Sequence, residues 1–67
     1  MQRVESSWVA AIGYDQAAEE VYVELIEGRI YAYRRVPATV WREFEQAPSK
    51  GTFVNEALKP RYAFREL

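Results

Sequence analysis

Ile30-Tyr31-Ala32-Tyr33-Arg34-Arg35-Val36-Pro37 sets two tyrosines two residues apart, directly before two arginines. A phenol ring can stack on a nucleobase and a guanidinium can fork onto a phosphate, so the stretch holds the residue types of a nucleic-acid surface. The same alternation also suits a half-buried strand. Two more basic groups follow. Ser49-Lys50-Gly51 at the start of a helix would offer free backbone N–H groups and an ammonium to one anion, with Asn55 a turn further on. The structural alternative is that Ser49 caps the helix, Gly51 relieves a tight corner and Asn55 ties that corner to a carbonyl. In the tail, Lys59, Arg61 and Arg65 interleave with Tyr62 and Phe64. As an edge strand this would be a basic ribbon along a phosphate backbone with an aromatic to stack on a base, or simply a guard against sheet-to-sheet aggregation.

Much other chemistry is excluded. The 67 residues contain no histidine and no cysteine, which removes the usual zinc ligands, the usual general base and every Ser-His or Cys-His pair. Glu19-Glu20 is the one adjacent acidic pair of the first half, and neighbours on a strand edge point apart. The composition argues against an enzyme and predicts no cofactor and no metal. Absent cysteine fits a reducing cytoplasm. No apolar run approaches the roughly 20 residues needed to span a bilayer, and the opening Met1-Gln2-Arg3-Val4-Glu5 does not read as a signal peptide.

Net charge is −1, but its distribution is uneven. Residues 1–27 carry one base against six acids, and residues 28–67 carry eight bases against four acids. A chain split in this way can present a basic face while nearly neutral overall. Salt bridges between the halves are the plainer reading.

These groups need elements to hold them. Ser7 to Tyr14 alternates, with Trp8, Ala10, Ile12 and Tyr14 on one side and Val9, Ala11 and Gly13 on the other, which predicts a first strand. Val21, Val23 and Leu25 give a second strand with a clear inner face. Arg29 to Val36 gives a third, and the three run as an antiparallel meander. Val36-Pro37 ends the sheet, and proline suits a helix's first turn. Val40, Phe44 and Ala47 then recur at helical spacing over Thr39 to Ala47. Pro48 to Gly51 breaks that helix, and Phe53, Val54, Ala57 and Leu58 form the apolar side of a second, stopped by Pro60. Trp8 and Trp41 read as core, because so small a domain needs their area. The fold class is therefore α+β: a three-stranded antiparallel meander followed by two short helices packed on one face, with a tail that can add a short C-terminal strand.

Hairpin register decides which way Tyr31 and Tyr33 face. A two-residue loop at Glu27-Gly28 would pair Leu25 with Ile30 and turn the tyrosines outward, but it needs positive φ at Glu27. A three-residue loop, Ile26-Glu27-Gly28, needs it only at Gly28. That geometry pairs Leu25 with Arg29 and Val23 with Tyr31, placing both tyrosines under the helices, and turn chemistry favours it.

The ordered set Ser6-Ser7, Gly13-Tyr14-Asp15, Val21-x-Val23-x-Leu25, Gly28, Tyr31-x-Tyr33, Val36-Pro37, Phe44, Ser49-Lys50-Gly51, Phe53-Val54-Asn55 and Tyr62 resembles the KTSC domain, named for the C-terminal extension of some lysyl-tRNA synthetases. The resemblance covers nearly the whole chain, so residues 1–67 read as a single KTSC-like domain. It implies a small bacterial or phage-associated domain for which RNA binding has been suggested, and gives Tyr31, Tyr33, Gly51, Phe53 and Tyr62 as motif positions with structural roles. The turn at Glu27-Gly28 departs from the more Gly/Ser-rich turn of many members. The expectation is a non-catalytic module binding RNA through Arg34, Arg35, Lys50, Asn55, Lys59, Arg61 and Arg65. A protein-interaction module or small homodimer is the alternative.

Overall fold

A computed structural model describes residues 1–67. Its sheet holds five antiparallel strands in chain order: β1 (Gln2–Arg3), β2 (Val9–Asp15), β3 (Glu20–Leu25), β4 (Ile30–Tyr33) and β5 (Phe64–Glu66). Between β4 and β5 come α1 (Ala38–Gln46) and α2 (Lys50–Phe53), and α2 runs on as a π-helical turn over Val54–Leu58. Val9, Ile12, Val21, Val23 and Tyr33 on the inner face of the sheet meet Val36, Phe44, Val54 and Leu58, each at most 2% exposed. Nine such side chains, each contributing about 1.5–3 kcal/mol by burial, are the main force holding so small a chain together. No helix is long and apolar enough to cross a membrane.

The expected three-stranded meander is thus the centre of a five-stranded sheet. The added edge strand β1 pairs Gln2 with Ile12 and Arg3 with Ala11. The other edge is the tail, where Tyr31, Ala32 and Tyr33 pair with Glu66, Arg65 and Phe64. A second difference lies in β2. Val9 pairs with Leu25 but Ala11 pairs with Glu24, so Ala10 is the extra residue of a β-bulge. The bulge resets the alternation. Val9, which strict alternation puts opposite Ile12, joins it in the core.

Turn chemistry sets the β3–β4 register. Gly28 has φ +111, a conformation that side chains with a Cβ resist, and its N–H donates to the Leu25 carbonyl at 2.9 Å. The Leu25 N–H in turn donates to the Arg29 carbonyl at 2.8 Å, and Val23 and Val21 pair with Tyr31 and Tyr33. This is the three-residue loop, with Tyr33 buried and Tyr31 half-buried on the inner face.

Side chains fix the remaining corners. The Ser6 hydroxyl accepts from the N–H groups of Trp8 and Val9, both at 3.3 Å, turning the chain into β2. Asp15 accepts from Ala17 and Ala18 to form the β2–β3 turn. Pro37 caps α1 from an extended conformation, its carbonyl accepting from Val40 and Trp41. Ser49 caps α2 by accepting from the Thr52 N–H at 3.2 Å.

Candidate nucleic-acid interface

The end of β4 and the start of the tail are tied by one hydrogen bond, from the Arg34 N–H to the Ala63 carbonyl at 2.9 Å. Around it Arg34, Arg35, Arg61, Tyr62 and Ala63 line a shallow depression of about 390 Å³. All three arginines are exposed. The two ion pairs of the chain, Arg29–Glu27 and Arg65–Glu20, leave this trio without a carboxylate partner. Three unpaired guanidiniums around a phenol ring make a concave cationic surface suited to forked contact with phosphate oxygens.

Backbone strain helps to set this geometry. Arg35 has φ 58 and Glu19 has φ 55, the only positive values outside glycine. The residue after Arg35 joins the two segments, because the Val36 N–H donates to the Glu19 carbonyl at 2.8 Å. A left-handed residue with a Cβ costs roughly 1–2 kcal/mol, and packing of Val36 into the core imposes it here. The left-handed step lets the chain leave β4 for α1 while Arg34 and Arg35 both stay exposed.

On the other side of the same tail segment is a cleft of about 330 Å³, walled by Trp8, Tyr31, Tyr33 and Phe64, with Lys59 and Arg29 also lining it. Phe64 stands edge-on to Tyr31 with centroids 5.3 Å apart and tilted against Tyr33 at 5.4 Å. The Lys59 ammonium lies 5.5 Å from the centre of the Trp8 ring. The π-helical turn ends in the Lys59 N–H donating to the Val54 carbonyl at 2.9 Å. Burial, with Tyr31 adding to it, pushes the Tyr33 phenol above its ordinary range.

The other expected site residues are placed elsewhere. Lys50 donates to the carbonyls of Glu45 and Ala47, at 3.0 and 2.6 Å, and so serves the open C-terminal end of α1. Gly51 is buried with the Trp8 indole against its Cα. Phe53 stacks on Phe44 with centroids 5.0 Å apart. Asn55 is exposed, on the π-helical turn that continues α2. Arg65 points to the outer sheet face, where its guanidinium and the Tyr22 hydroxyl share Glu20 Oε1. The expected ribbon of Lys59, Arg61 and Arg65 on one strand face is not formed, since β5 begins only at Phe64 and the two earlier residues lie in the turn after the helix. Arg42 lies apart from the trio, beside Tyr14 and Trp41, whose rings stack at 5.5 Å.

Two cleft residues did not stand out in the sequence. Trp8 reads as core by size and as one member of the alternation from Ser7 to Tyr14, and neither signal marks it as the wall of an open cleft. Arg29 reads as the first residue of the third strand, with nothing to mark it as a cleft residue. Its partners Glu27 and Tyr31 are two residues away on either side.

Comparison with known proteins places these features in context. Residues 5–62 match the model of the KTSC domain. A protein of Tsukamurella paurometabola is 42% identical over 62 residues, 92% of this chain and 92% of that protein. The lysine–tRNA ligase of a Nostoc species is 33% identical over 63 residues, covering 94% of this chain but 11% of the ligase. A KTSC domain protein from Yersinia pestis, known from a crystal structure, has a TM-score of 0.90 at 31% identity, covering 98% of this chain and 93% of that one.

Proposed function

This chain belongs to the KTSC domain family, and from that premise we propose that it is a small non-catalytic module that binds single-stranded RNA through the β4–tail edge. The observation that carries this reading is the unpaired trio Arg34, Arg35 and Arg61 converging beside Tyr62. Kinship with a segment of lysine–tRNA ligases supports RNA as the polyanion. In this reading the arginines hold backbone phosphates, and Lys59 extends the cationic track toward the helix. Lys50 and Arg65 stay outside it, because their charges already serve α1 and Glu20.

Three phosphate contacts predict a slope of about −2 in log K against log salt for a single strand. Affinity then falls about 20-fold between about 50 and 200 mM salt. The test is an amide-shift titration with a short single-stranded RNA at two salt concentrations. Shifts centred on Arg34, Arg35, Arg61 and Tyr62 that weaken with salt are expected. No shifts at low salt, where such binding is strongest, defeat the proposal.

A second reading draws on the outer sheet face, which no helix covers. Ala11 and Ala32 leave it shallow, and Met1 and Leu67 at the two edge strands are 59% and 60% exposed. Such a surface suits a protein partner or a second copy. Size that rises with concentration, with shifts confined to this face, would favour it over RNA.

A further inference from the structure

We infer that the cleft between Trp8 and Phe64 is a nucleobase subsite, taking one unstacked base of the strand whose phosphates the arginine trio holds. The inference rests on the RNA reading and adds to it where the base goes. Its ground is the way one short segment builds both features. Ala63 and Tyr62 line the arginine depression and Phe64 lines the cleft. At the end of β4, Tyr33 faces the cleft and Arg34, the residue that follows the strand, lines the depression. One to three residues of extended chain therefore separate the two, or about 3–10 Å. A nucleotide lying over this edge can keep its phosphate on the guanidiniums while its base turns inward.

The chemistry of the cleft matches a base better than an aliphatic side chain. Trp8 comes from the segment before β2, Tyr31 and Tyr33 from β4, and Phe64 from β5, so π surfaces from three segments line it, with Val23, Leu25 and Val54 completing the apolar lining. Phe64 is 51% exposed although it touches two tyrosines, which leaves part of its ring free for a ligand. Of the two cations that line the cleft, Arg29 is held by Glu27 at 3.3 Å, whereas Lys59 has no carboxylate partner. An ammonium above an indole can donate to the ring nitrogens and carbonyl oxygens of a base. An apolar peptide side chain would leave that donor unused.

The experiment uses the Trp41→Phe variant, in which Trp8 is the sole indole. Trp41 lies outside the cleft, stacked on Tyr14. Trp8 emission is followed during titration with a short single-stranded RNA and with an abasic backbone of equal length and charge. The RNA is expected to quench Trp8 and the abasic backbone to bind without quenching. Phe64→Ala should weaken RNA binding by about 5- to 150-fold, the effect of removing one stacking partner, and leave binding of the abasic backbone unchanged. Lys59→Gln should also weaken RNA binding. Circular dichroism checks that each variant is folded. If both oligomers bind with the same affinity and salt dependence and Trp8 emission does not move, the subsite is refuted and the phosphate reading stands. If neither binds at low salt, both fall. Quenching by an aromatic peptide but not by RNA would assign the cleft to a protein and overturn the inference.

Discussion

Adding one methyl at Gly51 should reverse its effect on stability according to what occupies position 8. A Cβ there would lie 3.0 Å from Trp8 Cε2, 3.3 Å from Cδ1 and closer still to Nε1. Ordinary contact begins near 3.4 Å, and an indole cannot bend away as a flexible chain end can. Overpacking of this kind costs about 1–3 kcal/mol. Gly51 has ordinary helical φ, so alanine also returns about 0.5–1 kcal/mol of helix propensity. The net expectation for Gly51→Ala is a loss of about 1–2 kcal/mol, a fall in Tm of about 5–15 °C for a domain of this size. In a Trp8→Leu background the obstructing ring is gone and only the propensity gain remains. There the same methyl should stabilise by about 0.5–1 kcal/mol. Urea and thermal unfolding of the four proteins, followed by circular dichroism, give the coupling energy, expected at about 2 kcal/mol. Equal destabilisation in both backgrounds would show that the indole is not what forbids a side chain at Gly51.

Three further outcomes follow from the packing and the turns. Gly28→Ala should cost about 1–3 kcal/mol because φ +111 is strained for any residue with a Cβ; urea unfolding with an unchanged m-value checks it. Phe44→Ala removes a fully buried ring that stacks on Phe53 and meets Trp41 edge-on. Its cost of about 3–5 kcal/mol compares with a total of roughly 3–10 kcal/mol for a chain of this length, so the variant should be largely unfolded at 37 °C by circular dichroism. Alkaline pH should also unfold the domain. Tyr14 and Tyr33 are raised above their ordinary 10.0 chiefly by burial, and Tyr22 chiefly by its hydrogen bond to Glu20. Each keeps its proton better folded than unfolded, so this stability is complete below about pH 10 and is lost as pH climbs through the raised folded values. Tyrosinate absorbance and circular dichroism should change together, and Tyr33→Phe should move that transition to higher pH.

The parts of the fold that could be read from the chain are those set by local chemistry. Gly28 admits positive φ and Glu27 resists it, which was enough to choose the register and turn Tyr31 and Tyr33 inward. Ser49, Pro37 and the Phe44 spacing marked the helices for similar reasons. What escaped was set at a distance. Gln2–Arg3 is too short to show a period, and its strand exists because Ile12 and Ala11 offer an open edge. The bulge at Ala10 inserts one residue into an apparently regular alternation, and nothing in Val9-Ala10-Ala11 announces it. At the candidate site, basic residue types were visible but their partners were not. Arg65 and Glu20 are 45 residues apart, and Lys50 is taken up by carbonyls, which every residue has. The arginine trio survives as a cluster because the Arg34–Ala63 hydrogen bond joins two stretches far apart in the chain.

The order of the sheet also governs how the domain can be carried. β1 and β5 are its opposite edges, four strand spacings apart, or about 19 Å. In a longer polypeptide, a segment preceding Met1 would attach along the β1 edge. The Arg34–Arg61 corner lies at the other margin, beside β4 and β5. A tether on that side would therefore hold the domain like a handle, with its cationic margin turned away from whatever body it is fastened to.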